Sequence, residues 1–126
     1  MREILFRGKR LANDKWKYGS YVFQYDCHLI YLTSTEGEYG FDNYHIDPET
    51  VGQYTGLKDK DGLKIFEGDI LKTIFGVGYV VYGIGCFSVQ YEPTNRPAID
   101  IVMNDSDVFV IGNIHDNPEL LKEGGE

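Results

Sequence analysis

Little in this sequence belongs to a catalyst, a secreted scaffold or a membrane protein. Only two cysteines occur among its 126 residues, Cys27 and Cys86. They form no C-x-x-C pair, which argues against a disulfide framework and for two reduced thiols in a cytosolic protein. No apolar run reaches the ~18 residues a membrane-spanning helix needs. The opening stretch Met1-Arg2-Glu3-Ile4-Leu5-Phe6-Arg7 is too short in its apolar part for a signal peptide, so a cytoplasmic location and no membrane partner are expected. There is no G-x-x-x-x-G-K-[ST] segment, which excludes P-loop phosphate chemistry. Basic residues are in deficit too. The 12 Lys and Arg face 20 Asp and Glu, a formal net charge of -8, leaving no basic excess for broad duplex binding.

Glycine and aromatic residues are plentiful instead. The chain has 15 glycines, 10 tyrosines and 7 phenylalanines but one tryptophan; average glycine usage is ~7%. That mixture suits short strands joined by tight turns. A first strand is predicted at Ile4-Leu5-Phe6-Arg7. Trp16 to Tyr25 reads as strand, bend, strand around Gly19, and His28–Thr33 follows after a turn at Asp26-Cys27. Ser34–Asn43 reads as a loop, and Asp47-Pro48-Glu49-Thr50-Val51 as a helical turn or an extended arm.

Beyond these, Asp59-Lys60-Asp61-Gly62 is the clearest turn in the chain. Strands are predicted at Lys64–Phe66, Ile70–Phe75, Tyr79–Tyr82, Cys86–Tyr91, Ile99–Met103 and Val108–Ile111. Pro93 and Pro97 bracket a loop. The last strand is apolar on both faces, so a central or covered position is expected. A short terminal helix is predicted with Asn117 as cap, Pro118 in the first turn, Glu119 and Lys122 matching the dipole, and Gly124 as stop. The fold class is therefore mainly β. An N-terminal small sheet or meander (1–50) precedes a C-terminal SH3-like bent barrel with the terminal helix (51–126), and the two are small enough to form one compact unit.

Most motifs that carry chemistry fail on inspection. Gly76-Val77-Gly78 and Gly83-Ile84-Gly85 lack the third glycine of a dinucleotide fingerprint, having Val81 and Ser88 there. Aligning Gly62 to the sixth position of a calcium loop puts Leu57 first and Gly68 last, where carboxylates are required. Cys27, His28, His45, Cys86 and His115 show no zinc-finger spacing, so neither metal nor cofactor is expected. Cys86, His115 and Asp116 are the one triad-like set, and a buried thiol beside a turn histidine is the simpler reading. No catalytic residue is assigned.

Charge is unevenly distributed. Residues 1–17 carry Arg2, Arg7, Lys9, Arg10, Lys15 and Lys17 against Glu3 and Asp14, whereas residues 98–126 carry only Lys122 against seven acids. Such opposed patches suit a solvated surface or head-to-tail self-association, so a homo-oligomer is expected. Arg7, Trp16, Lys17 and Tyr18 interleave cations with rings and form a candidate strip for stacking single-stranded bases; strand-core packing of Trp16 is the simpler reading.

The block Val51-Gly52-Gln53-Tyr54-Thr55-Gly56-Leu57-Lys58-Asp59-Lys60-Asp61-Gly62, followed by Ile65-Phe66-Glu67-Gly68-Asp69-Ile70, resembles the YopX family of phage and prophage proteins. So do the opening Arg2–Arg7 and the closing Val110–Leu121. The resemblance implies a small, mainly β protein carried by a phage of a Gram-positive host, and it supplies no catalytic residues. Within the block, Gln53, Tyr54, Thr55 and Asp69 either tie two β lobes together or line a shared surface. Three functional readings follow: a non-catalytic module binding itself or a phage or host protein, a nucleic-acid-binding regulator using the basic-aromatic strip, and a small hydrolase-like enzyme.

Overall fold

The computed structural model describes residues 3–32, 43–83, 85–91, 99–100 and 108–124. The protein is mainly β, with antiparallel strands throughout and a short terminal helix. It divides into two compact units, Met1–Tyr54 and Thr55–Glu126.

In the first unit the strands are β1 (Phe6–Lys9), β2 (Trp16–Gln24), β3 (Cys27–Leu32), β4 (Asn43–His45) and the start of β5 (Gly52–Lys58). They pair in the order β4-β3-β2-β1-β5. β2 runs unbroken through Gly19, where a bend was expected. That glycine sits under the neighbouring strand, and a Cβ there would collide with the Tyr31 carbonyl oxygen. Its role is close approach of two backbones, not a change of direction.

The hairpin joining β2 to β3 turns at Tyr25-Asp26, one residue before the predicted Asp26-Cys27, because Gln24 pairs with Cys27. Both turn residues have positive φ (53° and 61°), the twist a two-residue hairpin needs. The sheet also curls on itself. Arg10 bridges Ile46, and the Leu11 amide donates to the His45 carbonyl at 3.0 Å. Ile30 and Ile46 are fully enclosed by this curl.

Between β4 and β5, Pro48–Thr50 forms a single 3-10 turn whose Asp47 cap accepts from the Glu49 amide at 3.0 Å. Thr50 Oγ1 accepts from the Lys9 amide at 2.8 Å and donates to the Asp47 carbonyl at 2.7 Å. A buried hydroxyl thus satisfies backbone groups that the turn would otherwise leave open.

In the second unit, β6 (Lys64–Phe66) hydrogen-bonds with β5. A five-stranded sheet contains β7 (Asp69–Thr73), β8 (Gly76–Gly83), β9 (Cys86–Tyr91), β10 (Ile99–Asp100) and β11 (Phe109–Asn113), in the order β10-β9-β8-β7-β11. Among the described residues no pairing of β10 with β11 closes this sheet. Ile65, Leu71, Val80, Val89, Tyr91 and Val108 form its core, with Phe87 and Val110 packed alongside. Phe87, Val89 and Tyr91 alternate along β9 and share one face, which accounts for that side of the core.

Two expectations for this unit change. β7 stops at Thr73, and Ile74-Phe75 make an exposed turn, because the Phe75 amide bonds back to Thr73 Oγ1 at 3.0 Å. β11 lies at the sheet edge and not its centre. Its register slips between Val110 and Gly112, opposite Leu71 and Ile70, so that Ile111 is an extra residue in a β-bulge. Apolarity on both sides of β11 reflects core contact on one side and this bulge on the other.

The helix α1 (Glu119–Gly124) follows Pro118 as predicted. Asn117 has a different task from helix capping: its Oδ1 accepts from the Asn113 amide at 3.3 Å. A Cβ at Gly112 would lie 2.6 Å from that oxygen and 3.0 Å from Leu120 Cδ1, so the helix start docks on the bare glycine. The predicted Pro93–Pro97 loop, most of the Ser34–Asn43 loop, Ile101–Met103 and the Lys122 side chain lie outside the described residues.

Candidate functional site

The eight candidate side chains separate into a tightening block and a surface strip. In the block, Tyr54 is buried and its amide donates to the Leu5 carbonyl at 2.7 Å. Gln53 opposes Phe6 in the β1–β5 ladder. Thr55 Oγ1 donates to the Ile65 carbonyl at 2.8 Å and accepts from the Leu57 amide at 3.1 Å. The buried Asp69 carboxylate accepts from the Phe66 amide at 2.7 Å, closing the Phe66–Asp69 turn. Thr55 and Asp69 therefore spend polar atoms on backbone partners within the second unit.

A further carboxylate of this kind escaped notice in the sequence. Asp59 is 5% exposed. Its Oδ1 accepts from the amides of Asp61 and Leu63, both at 2.9 Å, and its Oδ2 from the Val110 amide at 3.0 Å. The Lys60 amide donates to the Val108 carbonyl at 3.0 Å beside it. One carboxyl side chain thus closes its own turn and fastens that turn to the β11 edge strand, with three donors offsetting its burial. The turn was legible as Asp-x-x-Gly; the reach to β11 was not.

The surface strip lies in the first unit. Lys9 opposes Trp16 and Arg7 opposes Tyr18 across the β1–β2 ladder, so these four share one face of the sheet. The buried Arg7 guanidinium carbon lies 4.6 Å from the Trp16 ring centre, and the Lys9 ammonium 5.6 Å from it. Cations cover the indole that base stacking would use. Tyr18 is the exposed ring of the set.

Lys17, one residue on, points to the opposite face, as strand alternation requires. There its ammonium lies 4.5 Å from the Tyr44 ring centre, while the Arg10 guanidinium lies 4.7 Å from the same ring. The strip read from sequence is thus two clusters back to back: Arg7, Lys9, Trp16 and Tyr18 on one face, Arg10, Lys17 and Tyr44 on the other. Arg10 and Tyr44 lacked a local signal, since β4 is three residues long and follows a polar loop.

Rings also gather on the hairpins. In the first unit Phe6, Tyr21, His28 and Phe23 form a ladder with centroid separations of 5.8, 5.9 and 4.6 Å, and Tyr21 Oη hydrogen-bonds His28 Nδ1. The ladder ends at Phe23 and Tyr25, which are 58% and 88% exposed. In the second unit, Tyr82 meets Phe87 edge-on at 5.0 Å near the β8–β9 turn. Ile74 and Phe75 stand out at the β7–β8 turn.

The triad-like residues occupy ordinary structural positions. Cys86 is exposed and its Sγ donates to the Gly83 carbonyl at 3.7 Å. The His115 amide donates to Asn113 Oδ1 at 3.0 Å, and Asp116 accepts from the Asn113 side chain at 3.1 Å. Cys27 and His28 are successive residues of β3, directed to opposite faces. Among the described residues no three His, Cys, Asp or Glu side chains are grouped to hold a metal ion, and no helix is long and apolar enough to cross a membrane.

These features define a small, two-unit antiparallel β protein with paired cations over rings in the first unit and buried backbone-binding carboxylates in the second. The chain belongs to the YopX family: the family model described as YopX protein matches residues 5–122. Among solved structures it is similar to protein EF1440 from Enterococcus faecalis, with 25% identity, a TM-score of 0.58, and coverage of 96% of this chain and 99% of that one. No curated protein matches the chain.

Proposed function

We propose that this protein is a non-catalytic accessory module of a phage or prophage that associates with itself, or with a phage or host protein, through aromatic side chains at its hairpin ends. The observation that carries the reading is Tyr25. It is 88% exposed, and it takes the left-handed conformation at a turn position where Asn or Gly costs least. Local stability accounts for neither property, whereas exposed Tyr is a preferred anchor of protein interfaces. Phe23 on the same hairpin and Tyr82 near the β8–β9 turn of the second unit are exposed rings as well.

Light scattering coupled to gel filtration tests this reading. The protein should run as a discrete oligomer, or retain a defined phage or host protein, and Tyr25→Ser with Tyr82→Ser should abolish the association without changing the melting temperature. A chain that stays monomeric, retains no partner from lysogenic cells, and instead shifts with short single-stranded DNA at low salt overturns it. The last result would move the role to the Arg7–Tyr18 face.

A further inference from the structure

We infer that the cleft beside Tyr44 in the first unit is a binding site for a small phosphate-bearing dianion. The cleft, about 330 Å³ in volume, is lined by Arg10, Leu11, Ala12, Asn43, Tyr44 and His45. That volume lies at the small end of ligand sites, which run from ~300 to ~1,000 Å³. Its walls are held by backbone. The Arg10–Ile46 bridge and the Leu11–His45 hydrogen bond clamp one side to β4. The turn that follows is closed by Arg10 N–H to the Lys15 carbonyl at 2.9 Å and by Asp14 N–H to the Arg10 carbonyl at 2.8 Å.

The charge around it is the unusual part. Arg10 and Lys17 both approach the Tyr44 ring, at 4.7 and 4.5 Å, and all three side chains are half-buried. Among the described residues neither cation is paired with a carboxylate, and no acidic residue lines the cleft. This occurs in a chain with 20 acids and 12 bases. Two cations about one ring repel each other, and the ring quadrupole compensates only part of that. A dianion held beside Arg10 in the cleft, with Lys17 against the same ring, reverses the sign of the interaction. Arg offers a planar fork suited to phosphate oxygens, and Lys a point charge.

A phosphomonoester or free phosphate carries close to two charges at neutral pH, whereas an internal nucleic-acid diester carries one. The site should therefore prefer the former. The cleft stands on different residues from the hairpin ends, so this inference is independent of the proposed association.

The test is an amide-resolved NMR titration at low salt with three probes: inorganic phosphate, adenosine 5′-monophosphate and a short oligodeoxythymidylate lacking a terminal phosphate. Phosphate and the monophosphate should give saturable shifts centred on residues 10–12 and 43–45. Arg10→Gln and Lys17→Gln should each weaken binding about tenfold, with an unchanged melting temperature. Lys60→Gln, which removes a cation over Phe109 in the second unit, should leave it unaltered. Shifts that are absent, that spread evenly over the basic residues, or that fall equally with Lys60→Gln overturn the site. Equal or tighter binding of the oligonucleotide in the same cleft overturns the dianion assignment and makes the source a nucleic-acid strand.

Discussion

The two units of this protein handle charge in opposite ways. In Met1–Tyr54, cations are laid over aromatic rings: Arg7 and Lys9 over Trp16, Arg10 and Lys17 over Tyr44. In Thr55–Glu126, buried carboxylates are threaded into backbone amides, Asp59 with three and Asp69 with at least one. The first arrangement buries Arg7 and leaves Lys9, Arg10 and Lys17 half-buried beside rings. The second uses negative charge in fastening turns to strands, which rigidifies but offers nothing outward. A chain of net charge -8 can still carry a basic cluster, because six of its 12 Lys and Arg fall within residues 1–17.

Substitutions at three places break or sharpen that contrast. Leu71→Ala, in the core of the second unit, should cost about 3 kcal/mol in denaturant unfolding. If the two compact units unfold independently, hydrogen exchange should accelerate at β7–β9 and stay unchanged at β1–β3. Uniform acceleration would show one cooperative block. Asp59→Ala leaves three amides without their acceptor and should cost about 2 kcal/mol. Asp59→Asn should recover part of this, since its single carbonyl oxygen replaces two carboxylate oxygens; an unchanged melting temperature for the alanine variant would refute the fastening role. In the first unit, Tyr25→Asn with Asp26→Gly relieves two positive-φ residues and should gain about 1 kcal/mol. A loss of stability would mean that the Tyr25 ring packs in the monomer and is not held out for a partner.

The sequence was most informative where structure is local. Trp16–Tyr25 and Cys86–Tyr91 read as strand, and Asp-x-x-Gly marked the turn at Asp59. It was least informative where a residue's role depends on something distant. Gly19 looked like a bend because glycine weakens strands, yet its lack of a side chain admits the Tyr31 carbonyl from the neighbouring strand. Ile74-Phe75 read as more strand because apolar residues usually continue one. The Asp59–Val110 bond spans 51 positions, and Arg10 and Tyr44 meet only because the sheet curls. The family block around Gln53-Tyr54-Thr55 identified the protein without revealing that Thr55 and Asp69 bind their own backbone.

The bulge at Ile111 has a consequence for how this protein can vary. Beyond it, β11 is one step out of phase with a regular ladder, which sets Gly112 opposite Ile70 and under Asn117 and Leu120. Removing Ile111 would leave a regular ladder with Gly112 still opposite Ile70 and the helix start in its seat, whereas adding a residue would enlarge the bulge or push Gly112 out of place. Length is therefore constrained in one direction at this point: an exchange or loss of Ile111 is tolerable, and the insertion of a single codon is not.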